Sequence, residues 1–337
     1  QEDRLEYYDR HGIAGAAASM IEGMGVAYIL GYVERDANGE WQVKTNEPVW
    51  DEFRLHMRQI AKAYRNHPSV LMYSLENETV YINAQNFYGW IAWTGISKDE
   101  YMNVHEEAMA SVARAAQEFD DTRPYMVSGA GDLNGRLPIN APHYPRGSAE
   151  WYPENAYTLT KFADHVSRWP WKRDKPWWVP ESTFADDLNL ATYTIGDEAY
   201  RGQHAAQRGK AIFQRMLFGG YRWTGATGWS CCGNYSQYPE VQAMLSDLCV
   251  IPRRQTSRLY GGKANPLLFK VMNDTFSDAP VTFTWRYEVD GRQIAGESLK
   301  LHIEPGFGEE RTLTITPPDT DRRLDGTLTL EVSQDGA

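Results

Sequence analysis

The sequence predicts an α/β domain built on a parallel sheet, followed by a smaller all-β domain. Two observations carry this. Apolar strand-like runs alternate with helical patterns from residue 13 to about residue 229, which is the mark of strands joined by helical crossovers. Beyond residue 263 the hydrophobic period drops to two and turn residues recur at short intervals, as in a β-sandwich. A chain of 337 residues is long for one core and suits this division.

Leu5 to Arg10 reads as the end of a helix closed by His11-Gly12, and Gly12–Ser19 as a strand of small residues. An irregular, Gly-rich stretch covers 22–39. Val49, Phe53, Met57, Ile60 and Ala63 recur at spacings of three and four, predicting a helix over Pro48–Ala63. Arg65-Asn66-His67-Pro68-Ser69 then turns the chain into a buried strand, Val70–Leu75, which ends in Glu76-Asn77-Glu78. The long stretch Thr79–Ser97 reads as a loop dense in aromatics (Tyr81, Phe87, Tyr88, Trp90, Trp93), and loops of that length are usually functional. A helix is expected over Lys98–Phe119, then strands at Tyr125–Ser128 and Pro138–Ala141. A helix near Tyr157–Trp169, a strand at Pro176–Val179, a helix at Glu198–Phe218 and a last strand at Tyr221–Trp229 follow.

Val250–Lys263, with Pro252 and Gly261-Gly262, reads as a linker. After it, Val281, Phe283, Trp285, Tyr287 and Val289 alternate with polar residues, and Asp290-Gly291 marks a hairpin turn. Leu299, Leu301 and Ile303, then Leu313 and Ile315, then Leu328, Leu330 and Val332 repeat the pattern. The expected domains are therefore 1–258 and 259–337.

A net charge of −11 argues against nucleic acid or an anionic membrane as partner, and no apolar run reaches the roughly 20 residues of a membrane helix. Cys231, Cys232 and Cys249 are odd in number and lack metal-site spacing, so a disulfide scaffold is excluded and adjacent Cys231 and Cys232 are read as reduced thiols. His105-Glu106-Glu107 is not a zinc motif, since Met109 stands where the second His belongs. Neither a phosphate-cradling Gly loop nor a Gly-x-Ser-x-Gly elbow occurs, and no cofactor or metal is expected. Twelve Trp and 20 Tyr suit the flat faces of sugar rings, although core packing accounts for most of them.

Two carboxylates stand out because each follows an apolar strand: Glu78 after Val70–Leu75, and Glu181 in Lys175-Pro176-Trp177-Trp178-Val179-Pro180-Glu181-Ser182. The run from Asn66-His67-Pro68-Ser69 to Asn77-Glu78 resembles the acid/base strand of retaining glycoside hydrolases of clan A, especially glycoside hydrolase family 2. Lys175–Ser182 resembles the nucleophile strand of the same clan. The order and the interval fit, with two strand–helix units between. The resemblance implies a (β/α)8 TIM barrel whose third to eighth strands are the six counted here. The first two strands would be supplied by an amino-terminal segment not in this sequence, and an immunoglobulin-like sandwich would follow.

It further implies an enzyme that hydrolyses a β-glycoside in an oligo- or polysaccharide by double displacement. Glu181 would be the nucleophile and Glu78 the acid/base, as a carboxyl pair about 5–5.5 Å apart allows. Exo-acting, β-galactosidase-like action is the first expectation and endo-acting polysaccharide hydrolysis the second. A non-catalytic carbohydrate-binding barrel is the alternative of another class. By resemblance Asn77 would bond the sugar's 2-hydroxyl, and His143-Tyr144 falls where clan members place a Tyr that bonds the nucleophile. Trp229 would form an aromatic floor, and Trp90, Trp93 and Tyr88 are candidates to line the leaving-group side. Glu76 stands where the family commonly has Gly. It is read either as a third site carboxylate or as a salt-bridged structural residue. Oligomerisation is left open.

Overall fold

The computed structural model describes residues 2–18, 30–83, 87–143, 168–182, 188–230, 235–254 and 258–335. The chain divides into two compact units. The first comprises Gln1–Pro145, Phe162–Thr183 and Ala226–Cys232, and the second Arg146–Lys161, Phe184–Gly225 and Gly233–Ala337.

The first unit is organised on parallel strands. The helix Glu2–His11 ends at Gly12, whose φ of +66° favours a residue without Cβ. Strand β1 (Gly15–Ala18) follows. A hairpin of β2 (Gly31–Arg35) and β3 (Trp41–Thr45) lies where the sequence predicts only an irregular stretch; Val33 opposite Val43 gives it one apolar rung. The helix Glu47–Tyr64 starts with Pro48 in its first turn and buries Trp50, Met57 and Ala61.

Strand β4 (Val70–Asn77) lies between β1 and β5 (Tyr125–Ser128), parallel to both. Parallel strands are covered on both faces, and β4 shows it: all but Leu71 and Asn77 are buried, so its sequence reads as a mainly apolar run. The helix Lys98–Gln117 is capped by Ser97, whose hydroxyl accepts from the Glu100 N–H, with Asp99 and Glu100 at the positive end of its dipole.

The short strands β6 (Ala130–Gly131) and β7 (Ala141–Pro142) pair with one another. Single parallel bridges continue the sheet from Gly129 to Pro142, then from Asn140 to Trp177 and from His143 to Glu181. Finally β8 (Trp178–Val179) pairs in parallel with β9 (Gly228–Trp229). The parallel series is thus β1, β4, β5, β7, β8, β9, the six strands expected, and among the described residues no pairing closes it into a barrel.

Three expectations are corrected. The last strand is only Gly228–Trp229, because a helix runs over Gln203–Thr224 and stops at Gly225 in the left-handed conformation (φ +87°), whose N–H reaches the Tyr221 and Arg222 carbonyls. Within Thr79–Ser97, Thr79–Ile82, Tyr88–Ile91 and Ala92–Thr94 form short helical turns rather than open loop. The start of the presumed linker is strand β10 (Leu248–Pro252), paired with the chain that follows. The helix expected near Tyr157–Trp169 lies, except for residues 168 and 169, outside the described residues, as do Cys231 and Cys232. Cys249 is a buried free thiol, pushed up to about 11 by burial.

In the second unit, β11 (Asn265–Asn273) lies between β10 and β14 (Phe307–Ile315), while β12 (Val281–Val289) lies between β13 (Arg292–Leu301) and β15 (Gly326–Gln334). Every pairing is antiparallel. Asp290 and Gly291 both take positive φ (50° and 73°), the requirement of a tight hairpin turn that follows the strand twist. Phe269, Val271, Leu313 and Ile315 of one sheet and Phe283, Trp285, Tyr287 and Leu301 of the other share one apolar cluster.

Candidate active site

The site lies where β4, β5, β7 and β8 end. The backbone of β4 breaks at Glu78, which takes φ +58° and ψ 3°, an uncommon conformation for a residue with a side chain. Two hydrogen bonds hold it there: its N–H donates to the Ser128 carbonyl at 2.8 Å, and its carbonyl accepts from the Ile82 N–H at 2.7 Å. Glu76, one pleat earlier, is buried and turns its carboxylate to accept from the Thr79 N–H, tying down the turn that carries Glu78. Asn83 continues the brace, donating to the Thr79 carbonyl at 2.7 Å and accepting from the Tyr101 hydroxyl at 2.8 Å. Burial pushes the Tyr101 phenol up to about 12, so it remains a donor at any working pH.

Glu181 is held from the other side. It pairs with His143 through a parallel bridge, and the Ser182 N–H that follows donates to the Ser230 carbonyl at 3.0 Å. Both carboxyl side chains keep 16% of their surface open, whereas His143 between them is fully buried. His143 Nδ1 lies 2.8 Å from Glu78 Oε1 and 3.4 Å from Glu181 Oε2. On the other edge of the ring, Nε2 lies 2.7 Å from Ser128 Oγ, which is also 3.2 Å from Asn77 Oδ1. Gly129 makes room for this packing: a Cβ there would stand 3.3 Å from Tyr81 Cβ and 3.4 Å from the His143 ring, and its φ is +112°.

One ligating atom each of Glu78, His143 and Glu181 lies within 4.8 Å of the others. That spacing would admit a cation among the described residues. It also leaves one carboxyl oxygen of Glu78 and one of Glu181 within 4.8 Å of each other, with His143 Nδ1 against both.

Over residues 1–187, more than half its length, the chain matches the model for glycosyl hydrolases family 2, TIM barrel domain. The chain belongs to glycosyl hydrolase family 2. Membership places the open parallel series in a barrel-type fold. The structure is similar to the β-D-mannosidase of Dictyoglomus thermophilum, with a TM-score of 0.57 at 13% identity, covering 100% of this chain and 43% of that one. It is also similar to a calcium-binding mutant of Bacteroides uniformis β-glucuronidase 2, with a TM-score of 0.45 at 12% identity over 94% of this chain and 40% of that one. The chain therefore spans less than half the length of these two proteins. No curated protein sequence matches it.

Of the residues singled out in the sequence, Glu76, Asn77, Glu78, His143 and Glu181 are brought together here. Trp229 is half-buried on β9, its backbone opposite Val179 and so near Glu181 in the ladder. Trp90 stands apart on the turn Tyr88–Ile91 with 73% of its surface open. Tyr144 lies outside the described residues. Ser128 was read only as a strand residue. The signal that could have found it is its place at a parallel strand's carboxyl end, where barrel enzymes gather functional side chains.

Proposed function

We propose that the protein is a retaining β-glycoside hydrolase working by double displacement, with Glu181 as nucleophile and Glu78 as acid/base. The observation that supports it is the spacing of the pair, whose nearest oxygens fall within 4.8 Å. An inverting enzyme needs about 6.5–9.5 Å between its carboxyl groups to seat a water. In the first step a Glu181 oxygen bonds to the anomeric carbon, the glycosidic bond breaks, and Glu78 gives its proton to the departing oxygen. In the second, Glu78 takes a proton from water, the water oxygen bonds to the anomeric carbon, and the Glu181 ester is released. Asn77 is assigned to the 2-hydroxyl, Tyr144 to the nucleophile and Trp229 to the floor of the sugar site.

The substrate is a β-linked oligo- or polysaccharide. Exo-acting, β-galactosidase-like specificity is the first reading. A second, endo action, is favoured by Trp90 and Trp93, which leave 73% and 69% of their surfaces open on the segment following Glu78. We further propose that two more strands complete the eight of the barrel and that the antiparallel sheets form a sandwich domain over 259–337, to which β10 adds an edge strand from before that boundary. Aryl β-galactoside, β-mannoside and β-glucuronide, assayed beside oligosaccharides with the wild type, Glu78→Ala and Glu181→Ala, test the reading. Losses of at least about 10³-fold are expected in both variants, with azide restoring turnover in each as a glycosyl azide of opposite anomeric configuration for the two. Hydrolysis that survives unchanged in Glu181→Ala overturns it.

A further inference from the structure

The Ser128 hydroxyl carries one proton and has two acceptors within reach, His143 Nε2 at 2.7 Å and Asn77 Oδ1 at 3.2 Å. Its choice fixes where the proton of the His143 ring sits. If Ser128 donates to Nε2, the neutral ring carries its proton on Nδ1, aimed between Glu78 Oε1 and Glu181 Oε2. If Ser128 donates to Asn77, the neutral ring must carry its proton on Nε2, and Nδ1 then presents a lone pair to two carboxyl groups. A lone pair 2.8 Å from Glu78 Oε1 is tolerable only when that oxygen holds the carboxyl proton. The acid's proton would then point at a buried ring instead of at the departing oxygen. The first arrangement has the opposite consequence: Oε1 is an acceptor, so the proton must reside on the other Glu78 oxygen.

We propose that Ser128 is a positioning residue that fixes the tautomer of His143 and thereby keeps the acid's proton on the Glu78 oxygen facing the sugar. This rests on the assignment of Glu78 as acid/base and extends it. The ring is fully buried, with Gly129 packed against its face and the Tyr81 ring centred 6.0 Å away, and Ser128 Oγ addresses Nε2 at 2.7 Å. Among the described residues, His143 is faced by Glu78 from the end of β4, Ser128 from β5, Glu181 after β8 and the Tyr81 ring from the turn after Glu78. Ser128 does double duty, since its backbone carbonyl also accepts from the Glu78 N–H, a contact that survives any side-chain substitution.

The test compares leaving groups in the intact protein. A 2,4-dinitrophenyl glycoside departs without a proton, whereas an alkyl or unsubstituted phenyl glycoside needs one. Ser128→Ala is expected to lower kcat/KM about 30-fold on the poor leaving group, a fraction of what general acid catalysis supplies, and less than about threefold on the dinitrophenyl substrate. Ser128→Thr, which keeps the hydroxyl, should restore most of the loss. Equal losses on both leaving groups, or no loss on either, overturn the proposal. If Ser128→Ala does not fold, Ser128→Cys keeps the volume with a weaker donor and gives the same contrast at smaller size. A wild type inactive on every glycoside would instead count against the hydrolase reading itself.

Discussion

Replacing Glu106 by Ala should unfold the first unit at markedly lower temperature, and the structure says by how much. The Glu106 side chain is fully buried. Its Oε1 accepts from Arg168 Nε at 2.5 Å and Trp169 Nε1 at 2.8 Å; its Oε2 accepts from Arg168 NH2 at 3.0 Å and Arg136 NH1 at 3.2 Å. Removing one partner of a buried pair costs about 3–5 kcal/mol, because the other charge remains without compensation. Here the lower end applies. Arg136 keeps Glu107, Arg168 keeps Asp99 and Asn103, and both guanidinium groups retain some contact with solvent. About 3 kcal/mol corresponds to a fall in Tm of roughly 6–12 °C for a unit of this size. Trp169, which Glu106 holds, packs so closely on Gly131 that a Cβ there would lie 2.2 Å from Trp169 Cβ, and the chain runs on from it to Glu181. The assay is a thermal melt followed by circular dichroism, with Glu106→Gln as control; the amide keeps an acceptor for Trp169 and should lose about half as much. A Glu106→Ala melt within about 1 °C of the wild type would refute the reasoning.

Burial pushes the Asp120 carboxyl up, but bonds from Thr122, Tyr73 and Arg123 outweigh it and bring it to about 2 from an ordinary 3.8. Its stabilising effect is therefore complete above about pH 4 and lost as the pH falls through about 2. After allowance for solvent screening it amounts to about 1–2 kcal/mol, so urea midpoints measured from pH 5 to pH 2 should fall less steeply in Asp120→Asn than in the wild type. Gly129→Ala should lose about 2 kcal/mol of stability through its φ of +112°. It should also lose activity beyond that, by displacing His143, which kinetics on the folded fraction will measure. Trp90→Ala should leave aryl glycoside turnover within about twofold and weaken oligosaccharide turnover about tenfold if the exposed indole holds a sugar; comparison of kcat/KM on the two substrates decides.

The parts of the site legible in the sequence are those with local causes. β4 is readable because a parallel strand buried on both faces is written as a mainly apolar run, here Val70–Leu75 with Ser74 its one polar residue, and its end because Glu76-Asn77-Glu78 closes that run. Tyr221–Trp229 was misread for a physical reason. Tyr221 and Trp223 are aromatics that favour strands in isolation, yet they lie on a helix whose last turns are buried all round, so helical periodicity is hidden. Strand β10 is hidden in the sequence by Pro252, which is tolerated because β10 is an edge strand. The link between His143 and Ser128 could not be read at all, since a 2.7 Å contact across neighbouring strands leaves no trace in spacing along the chain. The left-handed turn at Glu78 is equally silent, because non-glycine residues carry no sequence mark for it.

The most direct measurement of the central claim is covalent trapping. The intact protein is incubated with 2-deoxy-2-fluoro β-glycosides bearing an activated leaving group and digested, and the labelled peptide is sequenced by mass spectrometry. The account predicts a stoichiometric glycosyl ester on Glu181, formed in the wild type and absent from Glu181→Gln. A label on Glu78, or turnover with inversion of the anomeric centre and no ester, would contradict it.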